Sequence, residues 1–322
     1  MKSSSSKKFN LKEEFLEIER PTILVIGGFD PSGAAGVLAD VKTSESQGVL
    51  AQVIISTQTI QNDNSFEEIG TPNTDAMGQL KSLLKRTHFK IVKIGMIPSF
   101  EWALPLIDIL KTVNPDIQII WDPILKASFA KESVPWSKQL DDLGEWMSLI
   151  DLITPNLEEA PFFEKIYGKF ETWNKSQINH KNVNQQIQKL PAVLVKGGHA
   201  KDESLSNSPN LPDSPNIDIA VTDILYVEGQ ILKFSQPKKK ASPKRGTGCV
   251  LASLIASKLA HLELLPIACQ SAQIQMAQYL KSSQSLIGTW TIPTDLPNSP
   301  KTLANSELIV KNNHSTLNPE LS

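Results

Sequence analysis

Residues 244–262 read KRGTGCVLASLIASKLAHL. Two glycines free the backbone to turn tightly, and the apolar periodicity that follows predicts a helix over about 249–262. Gly246, Thr247 and Gly248 then sit where that helix begins. The first N–H groups of a helix lack internal partners and point outward as an anion site. Cys249 falls in the first turn, where the helix field is expected to lower a thiol pKa. Lys244 and Arg245 add positive charge at the same end. The stretch therefore fits a phosphoryl group in transit beside a group able to take or orient a proton. Read alone, it fits a loop, a helix cap and a small buried cysteine equally well.

The remaining composition limits the choices. The chain has 322 residues, 40% hydrophobic, 20% charged and 6% aromatic, which is ordinary globular usage with ample material for a core. A formal net charge of -2 gives no field suited to nucleic acid or to an anionic membrane surface. With two cysteines, Cys249 and Cys269, there is neither a disulfide framework nor a thiolate metal cluster, so a reducing, cytoplasmic setting is expected. No apolar run is long enough for a membrane span, and the first residues, MKSSSSKKFNLKEEF, lack the apolar core of a secretion signal. Residues 1–20 are expected to form a loose arm, with a short helix near 11–19.

From residue 21 to 286 the pattern alternates strands and helices. TILVIGG (22–28) reads as a buried parallel strand, followed by a turn through Asp30 and a helix over 34–47, the opening of a βαβ unit. Further strands are predicted at 49–60, 91–94, 117–121, 149–153 and 192–196. Helices are predicted at 74–86, 102–111, 157–167 and 266–283. Glu158 and Glu159 are placed in the first turn of the third of these, where acids are favoured. Residues 222–227 and 230–235 form a predicted hairpin across Glu228-Gly229. The glycines at 27, 28, 33 and 36 do not give G-x-G-x-x-G, so a nicotinamide enzyme is poorly supported. An insertion at about 200–221 is rich in Ser, Pro and Asn, and residues 287–322 read as a polar tail. The lysines at 238–240 lack an aromatic ladder and read as a solvated loop.

Functional side chains recur where predicted strands end: Asp30, Gln61, Met96, Asp122, Asn156 and Lys196. Open α/β sheets bind ligands outside the carboxyl ends of their strands. Each residue taken singly also reads as a cap or turn former, Asp30 and Asn156 most readily.

Taken together the segments resemble hydroxymethylpyrimidine/phosphomethylpyrimidine kinases of thiamine biosynthesis, members of the ribokinase-like superfamily. The matching pieces are GGFDPSGAAGVLADVKT (27–43), QN (61–62), KIGM (93–96), DPILKAS (122–128), ITPNLEEA (153–160), VLVKGGH (193–199), DILY (223–226) and GTGC (246–249). They stand in family order. The resemblance implies a three-layer α/β/α sandwich with a mostly parallel central sheet, using ATP and Mg²⁺ to phosphorylate an aminopyrimidine alcohol and then its monophosphate, as a homodimer. It implies that Asp40, Gln61 and Met96, with Asp30 in the neighbouring turn, face the pyrimidine. Asn156, Lys196, Thr247 and Lys244 would meet nucleotide phosphates, and Asp122 and Glu159 would hold Mg²⁺. Gly246, Thr247 and Gly248 would form the anion hole, and Cys249 takes the position of the catalytic residue.

The chemistry of these residue types agrees. Hard carboxylate oxygens suit Mg²⁺, lysine suits phosphate as a point charge, and an amide with a thioether suits a flat hydrogen-bonding ring. The chain departs from the family pattern at Ala34, where a second glycine is usual, and at Arg245, where histidine is common. LKAS (125–128) and the long insertion depart as well. Arg245 is expected to favour a phosphorylated ligand. The nearest alternative is a pyridoxal or pyridoxine kinase of the same superfamily, whose substrate is also a flat ring with a hydroxymethyl arm. A silent ligand-binding paralogue is a third reading, against which the intact Asp122, Glu159, Lys196 and Gly-Thr-Gly set argues.

Overall fold

Side chains alternate across a strand, and along the first strand both faces are apolar. The computed structural model describes residues 20–62, 64–125, 142–173, 190–197, 220–237 and 243–290. In β1 (Thr22–Phe29), Ile23 and Val25 enter one buried cluster while Leu24 and Ile26 enter another. The sheet continues through β2 (Leu50–Gln61), β3 (Phe66–Pro72), β4 (Ile91–Ile94), β5 (Gln118–Trp121), β6 (Leu152–Ile153), β7 (Ala192–Val195), β8 (Ala220–Val227) and β9 (Gln230–Pro237). Its strand order is β3-β2-β1-β4-β5-β6-β7-β8-β9. From β2 to β7 neighbours are parallel, and β3, β8 and β9 pair antiparallel at the two edges.

Helices cover both faces, giving the α/β/α layering that the sequence pattern leads one to expect. On one side lie α2 (Ala76–Leu84), α3 (Phe100–Val113), α4 (Leu143–Leu149) and α5 (Ala160–Tyr167). On the other lie α1 (Gly36–Ser46), α6 (Thr247–Ala260) and α7 (Leu265–Lys281). The first face is filled by aromatic rings packed edge to face, with Trp121 5.4 Å from Trp146 and 5.9 Å from Phe163. On the second face α6 is buried nearly all round, between the sheet, α1 and α7. That explains its unbroken run of apolar and small residues. Among the described residues no helix is long and apolar enough to cross a membrane.

Three local readings change. Residues 143–149 are helical, and the strand expected at 149–153 shrinks to Leu152–Ile153. Leu143, Trp146, Met147 and Ile150 are all buried and recur at helical spacing, a period that the apolar end of the segment obscures. Strand β3 was not foreseen, because FEEIGTP is half exposed and pairs only with the projecting end of β2. The helix expected from 157 begins at Ala160, with Glu159 at its cap. The Asn156 Oδ1 accepts from the backbone N–H of Glu158 at 2.8 Å and of Glu159 at 2.9 Å, so these acids lie in a turn before the helix. The Glu228-Gly229 turn has φ of 49° and 74°, the left-handed pair that a tight two-residue hairpin needs. The expected helix at 11–19, most of the insertion at about 200–221, the lysines 238–240, residues 126–128 of LKAS and the tail beyond 290 lie outside the described residues.

The chain leaves β1 outward to β2, then returns past β1 to β4. This reversal opens a crevice at the carboxyl ends of β1 and β4, where Gly27, Gly28, Gly95 and Met96 stand.

Candidate active site

A cavity of about 600 Å³ follows the carboxyl ends of the strands. Its lining tracks the strand order. At the β2–β1–β4 end it meets Gln61, Phe66, Met96 and Asp40. In the middle stand Asp122, Asn156, Glu159, Lys196 and the start of α6, from Gly246 to Cys249. At the β8–β9 end it is walled by Val221, Pro237, Met276, Ala277 and Leu280, with Asp223 and Gln273 as polar groups.

Gly246 caps α6 at φ 66°, and a Cβ there would stand 2.1 Å from the Ala34 carbonyl oxygen. No L side chain fits that approach. It presses the start of α6 against the turn at 30–35. Asp30 builds that turn. Its Oδ1 accepts from Ser32 N at 2.9 Å and Ser32 Oγ at 2.7 Å, and its Oδ2 accepts from Ala35 N at 2.9 Å. Asp30 is buried, and both its carboxylate oxygens are engaged in the turn, beside the residues that line the cavity. The intrahelical ladder begins with Val250 N donating to Gly246 O, which leaves the N–H groups of residues 247–249 outside it.

The same helix start meets a buried ion pair. A Cβ on Gly248 would lie 3.1 Å from Lys196 Nζ and 3.4 Å from Asp122 Oδ2. Lys196 donates to Asp122 Oδ1 at 2.6 Å, and Thr154 Oγ1 donates to the same oxygen at 3.1 Å. Burial opposes ionisation of Asp122, but Lys196 and Lys93 outweigh it and hold the carboxyl below its ordinary range. Burial likewise opposes the Lys196 charge, and Asp122 with Glu159 outweighs it. A parallel bridge joins Asn156 to Lys196 and so sets the two side by side. The turn occupies the acceptor end of the Asn156 amide, so Asn156 offers a ligand donors, as an anion requires.

Glu159 accepts from Asn156 N at 2.9 Å. Burial pushes its carboxyl up to about 7, against the pull of Lys196 and with the help of Asp122. Among the described residues no group of three or more His, Cys, Asp or Glu is arranged around a metal position. Asp122 and Glu159 supply two hard oxygen donors. That set fits Mg²⁺, which retains waters and takes the balance of its ligands from substrate phosphates.

Two expected charges line the cavity but are engaged with protein groups. Lys244 Nζ donates to the carbonyls of Ser283 at 2.7 Å and Ser285 at 2.8 Å, tying the end of α7 to the start of α6. Arg245 is 6% exposed, and its guanidinium donates to Gln61 Oε1 at 2.8 Å and to Asn62 O. Cys249 also departs from expectation. Burial, with Asp40 and Asp122 adding to it, pushes its thiol up to about 12 against Lys93 and a backbone hydrogen bond from Gly36. The helix field does not prevail, because burial removes most of the water that would stabilise the thiolate.

Asp40 lines the cavity at one edge but is otherwise enclosed. Lys93 Nζ donates to both its oxygens at 2.8 Å, and Ser253 Oγ donates to Oδ1 at 2.7 Å. Burial opposes the Lys93 charge, and the touching Asp40 carboxylate outweighs it. The sequence reading passed over Lys93. The available signal was a lysine inside the all-buried strand IVKI, where an ionised side chain needs a partner. It also missed the β8–β9 end, since the apolar residues there read simply as core.

The chain matches the sequence model for phosphomethylpyrimidine kinase over residues 30–295. It is 31% identical over 269 residues to the hydroxymethylpyrimidine/phosphomethylpyrimidine kinase of Aquifex aeolicus, covering 82% of this chain and 95% of that protein. Several other curated relatives are longer, and the chain spans less than half their length. Among solved structures, a phosphomethylpyrimidine kinase of Clostridium difficile superposes with a TM-score of 0.57 at 25% identity, over 80% of this chain and 98% of that one. The ADP complex of Bacillus subtilis pyridoxal kinase superposes with a TM-score of 0.64 at 21% identity, over 84% and 97%. The fold is thus the ribokinase-like one.

Replacing Lys93 by Met strands a buried carboxylate and is expected to cost about 3–5 kcal/mol in urea unfolding. Adding Asp40→Asn should recover more than half of it. Full additivity of the two changes would show that the pair is not coupled. Glu159 binds a proton in the folded state that the unfolded chain has lost. The free protein's stability should therefore fall as pH rises from about 4.5 to about 7. Glu159→Gln should remove that slope, raising stability at pH 8 by up to about 3 kcal/mol and leaving it unchanged at pH 4. Equal effects at both pH values would contradict the raised pKa.

Proposed function

The chain belongs to the phosphomethylpyrimidine kinase family, and we propose that it transfers the γ-phosphoryl group of ATP to the hydroxymethyl arm of 4-amino-5-hydroxymethyl-2-methylpyrimidine, and then phosphorylates the monophosphate to the diphosphate for thiamine diphosphate synthesis. The observation that carries this reading is the one cavity that runs from Gln61, Phe66 and Met96 at one end, past Lys196 and the start of α6, to the largely apolar β8–β9 end, in a chain that matches the family over residues 30–295. The Aquifex relative is named for both kinase activities, and the Bacillus neighbour was solved with ADP.

In this reading the pyrimidine ring lies against Met96, with the Gln61 amide at its hydrogen-bonding edge and Asp40 near its hydroxymethyl arm. The adenine fills the recess of Val221, Pro237, Met276, Ala277 and Leu280. Lys196 and Asn156 meet the phosphates, and the N–H groups of Thr247, Gly248 and Cys249 face the group being transferred. Asp122 and Glu159 would hold Mg²⁺, which when bound neutralises phosphate charge. Charge in a loose phosphoryl transfer resides on the phosphoryl oxygens, so positioning and N–H donors supply most of the acceleration. Little proton abstraction is needed early, which suits a Cys249 that stays a neutral thiol. Cys249 then serves as a small wall that brings its backbone N–H to the phosphoryl group. The proposal includes a cytoplasmic homodimer acting on small molecules, with neither nucleic acid nor membrane as partner. Two free, buried cysteines support the reducing setting.

Incubation with ATP, Mg²⁺ and the pyrimidine alcohol should yield both monophosphate and diphosphate, resolved by ion-exchange chromatography. Monophosphate alone would remove the second step. Phosphorylation of pyridoxine but not of the pyrimidine would place the chain with the vitamin B6 kinases, and no product from either would support a silent paralogue. Native protein treated with iodoacetamide at pH 8 should keep Cys249 unmodified for hours, as read by peptide mass spectrometry. Rapid alkylation would restore Cys249 as a base.

A further inference from the structure

We propose that Arg245 is a positioning residue that fixes the Gln61 side-chain amide in one orientation, and so sets the site's preference for a ring carrying an amino group beside a ring nitrogen. This rests on the reading above that Gln61 meets the acceptor ring.

The argument is one of donors and acceptors. Thr59 Oγ1 donates its single proton to Phe29 O at 2.8 Å. Its oxygen can therefore only accept from Gln61, whose Nε2 lies 2.8 Å away. Arg245 carries donors alone, so the atom 2.8 Å from its guanidinium must be Gln61 Oε1. Both neighbours demand the same orientation. A flipped amide would set N–H against guanidinium and a carbonyl against a hydroxyl oxygen with no proton to give, two mismatches in a largely buried place.

Arg245 is itself held. Its backbone N–H donates to Leu286 O at 2.9 Å, its guanidinium also reaches Asn62 O, and the next residue is the left-handed Gly246 locked against Ala34. The network thus spans from β2 to the start of α6, and the orientation exists before any ligand arrives.

What remains to a ligand is one Nε2 hydrogen and one Oε1 lone pair. A ring nitrogen next to an exocyclic amine presents the complementary acceptor and donor. A ring lacking the amine leaves the second Oε1 lone pair unmatched, and sites built on such a pair of contacts discriminate against the incomplete ligand. Lysine at position 245 would supply a point donor in place of the planar fork, and methionine none.

The test compares turnover of 4-amino-5-hydroxymethyl-2-methylpyrimidine with that of the same compound lacking the 4-amino group. Wild type should prefer the amino compound by about 100-fold in kcat/KM. Arg245→Met should cut that preference at least about tenfold through KM for the amino compound, with kcat and KM for ATP changing less than about threefold. Arg245→Lys should lie between the two. Thr59→Val, which removes the other anchor from a different strand, should shift the preference in the same direction, and it decides the matter if Arg245→Met gives no cooperative thermal melt. Unchanged preference in the variants, or equal loss on both compounds with a raised KM for ATP, would overturn the assignment. Wild type that turns over neither compound would remove the proposed function. The two affinities, measured calorimetrically, would then decide the amide's role, with a preference lost in Arg245→Met upholding it and equal wild-type affinities ending it.

Discussion

The Lys93 ammonium lies at the junction of three elements and cannot leave it without cost. It rises from β4 on the same side of the pleat as Ile91 and donates to Asp40 of α1, which in turn accepts from Ser253 of α6. A fully buried cation is tolerated only when opposite charge and hydrogen bonds surround it, and here both carboxylate oxygens do so. The consequence is geometric. The two helices that carry the 30–35 turn and the open N–H groups at the start of α6 are referred to one point at the middle of the sheet. The close approach of Gly246 to Ala34 then fixes the remaining freedom between them.

Charge in the site is arranged as opposed pairs. Lys93 with Asp40 and Lys196 with Asp122 neutralise one another, while Lys244 and Arg245 are turned to carbonyls and an amide. In the proposed function, the part of the site left to face a transferring group is therefore the helix start with Lys196. Such fixed dipoles require no reorganisation when charge moves. The protonated Cys249 and the readily protonated Glu159 are consequences of the same enclosure: with little water near, an added negative charge is disfavoured until a cation or ligand accompanies it.

Much of this was legible in the sequence because the physics is local. Short β-branched runs closed by glycine became β1 and β4, and the Gly-Thr-Gly start of α6 lies where a left-handed residue and free N–H groups require it. The strand-end residues Gln61, Met96, Asp122, Asn156 and Lys196 do converge on one cavity, since parallel topology brings carboxyl ends together. What escaped depends on contacts distant in sequence. Nothing near Asp30 says that its carboxylate is spent on the turn. Nothing near Arg245 announces a partner 184 residues away, and the thiol pKa of Cys249 follows from burial beside Asp40 and Asp122, which are distant in sequence. Strand β3 escaped because a half-exposed edge carries no alternation to read.

The order of strands in the sheet has a consequence for how such a protein can change. Groups at the β2–β1–β4 end and groups at the β8–β9 end are separated by the full width of β5, β6 and β7. Substitutions that far apart, with no shared partner, act nearly independently. One end of the cavity can therefore change while the opposite end stays intact, and the reverse holds as well. The start of α6 lies between the two ends, beside Lys196 and Asp122, so a substitution there would act on both.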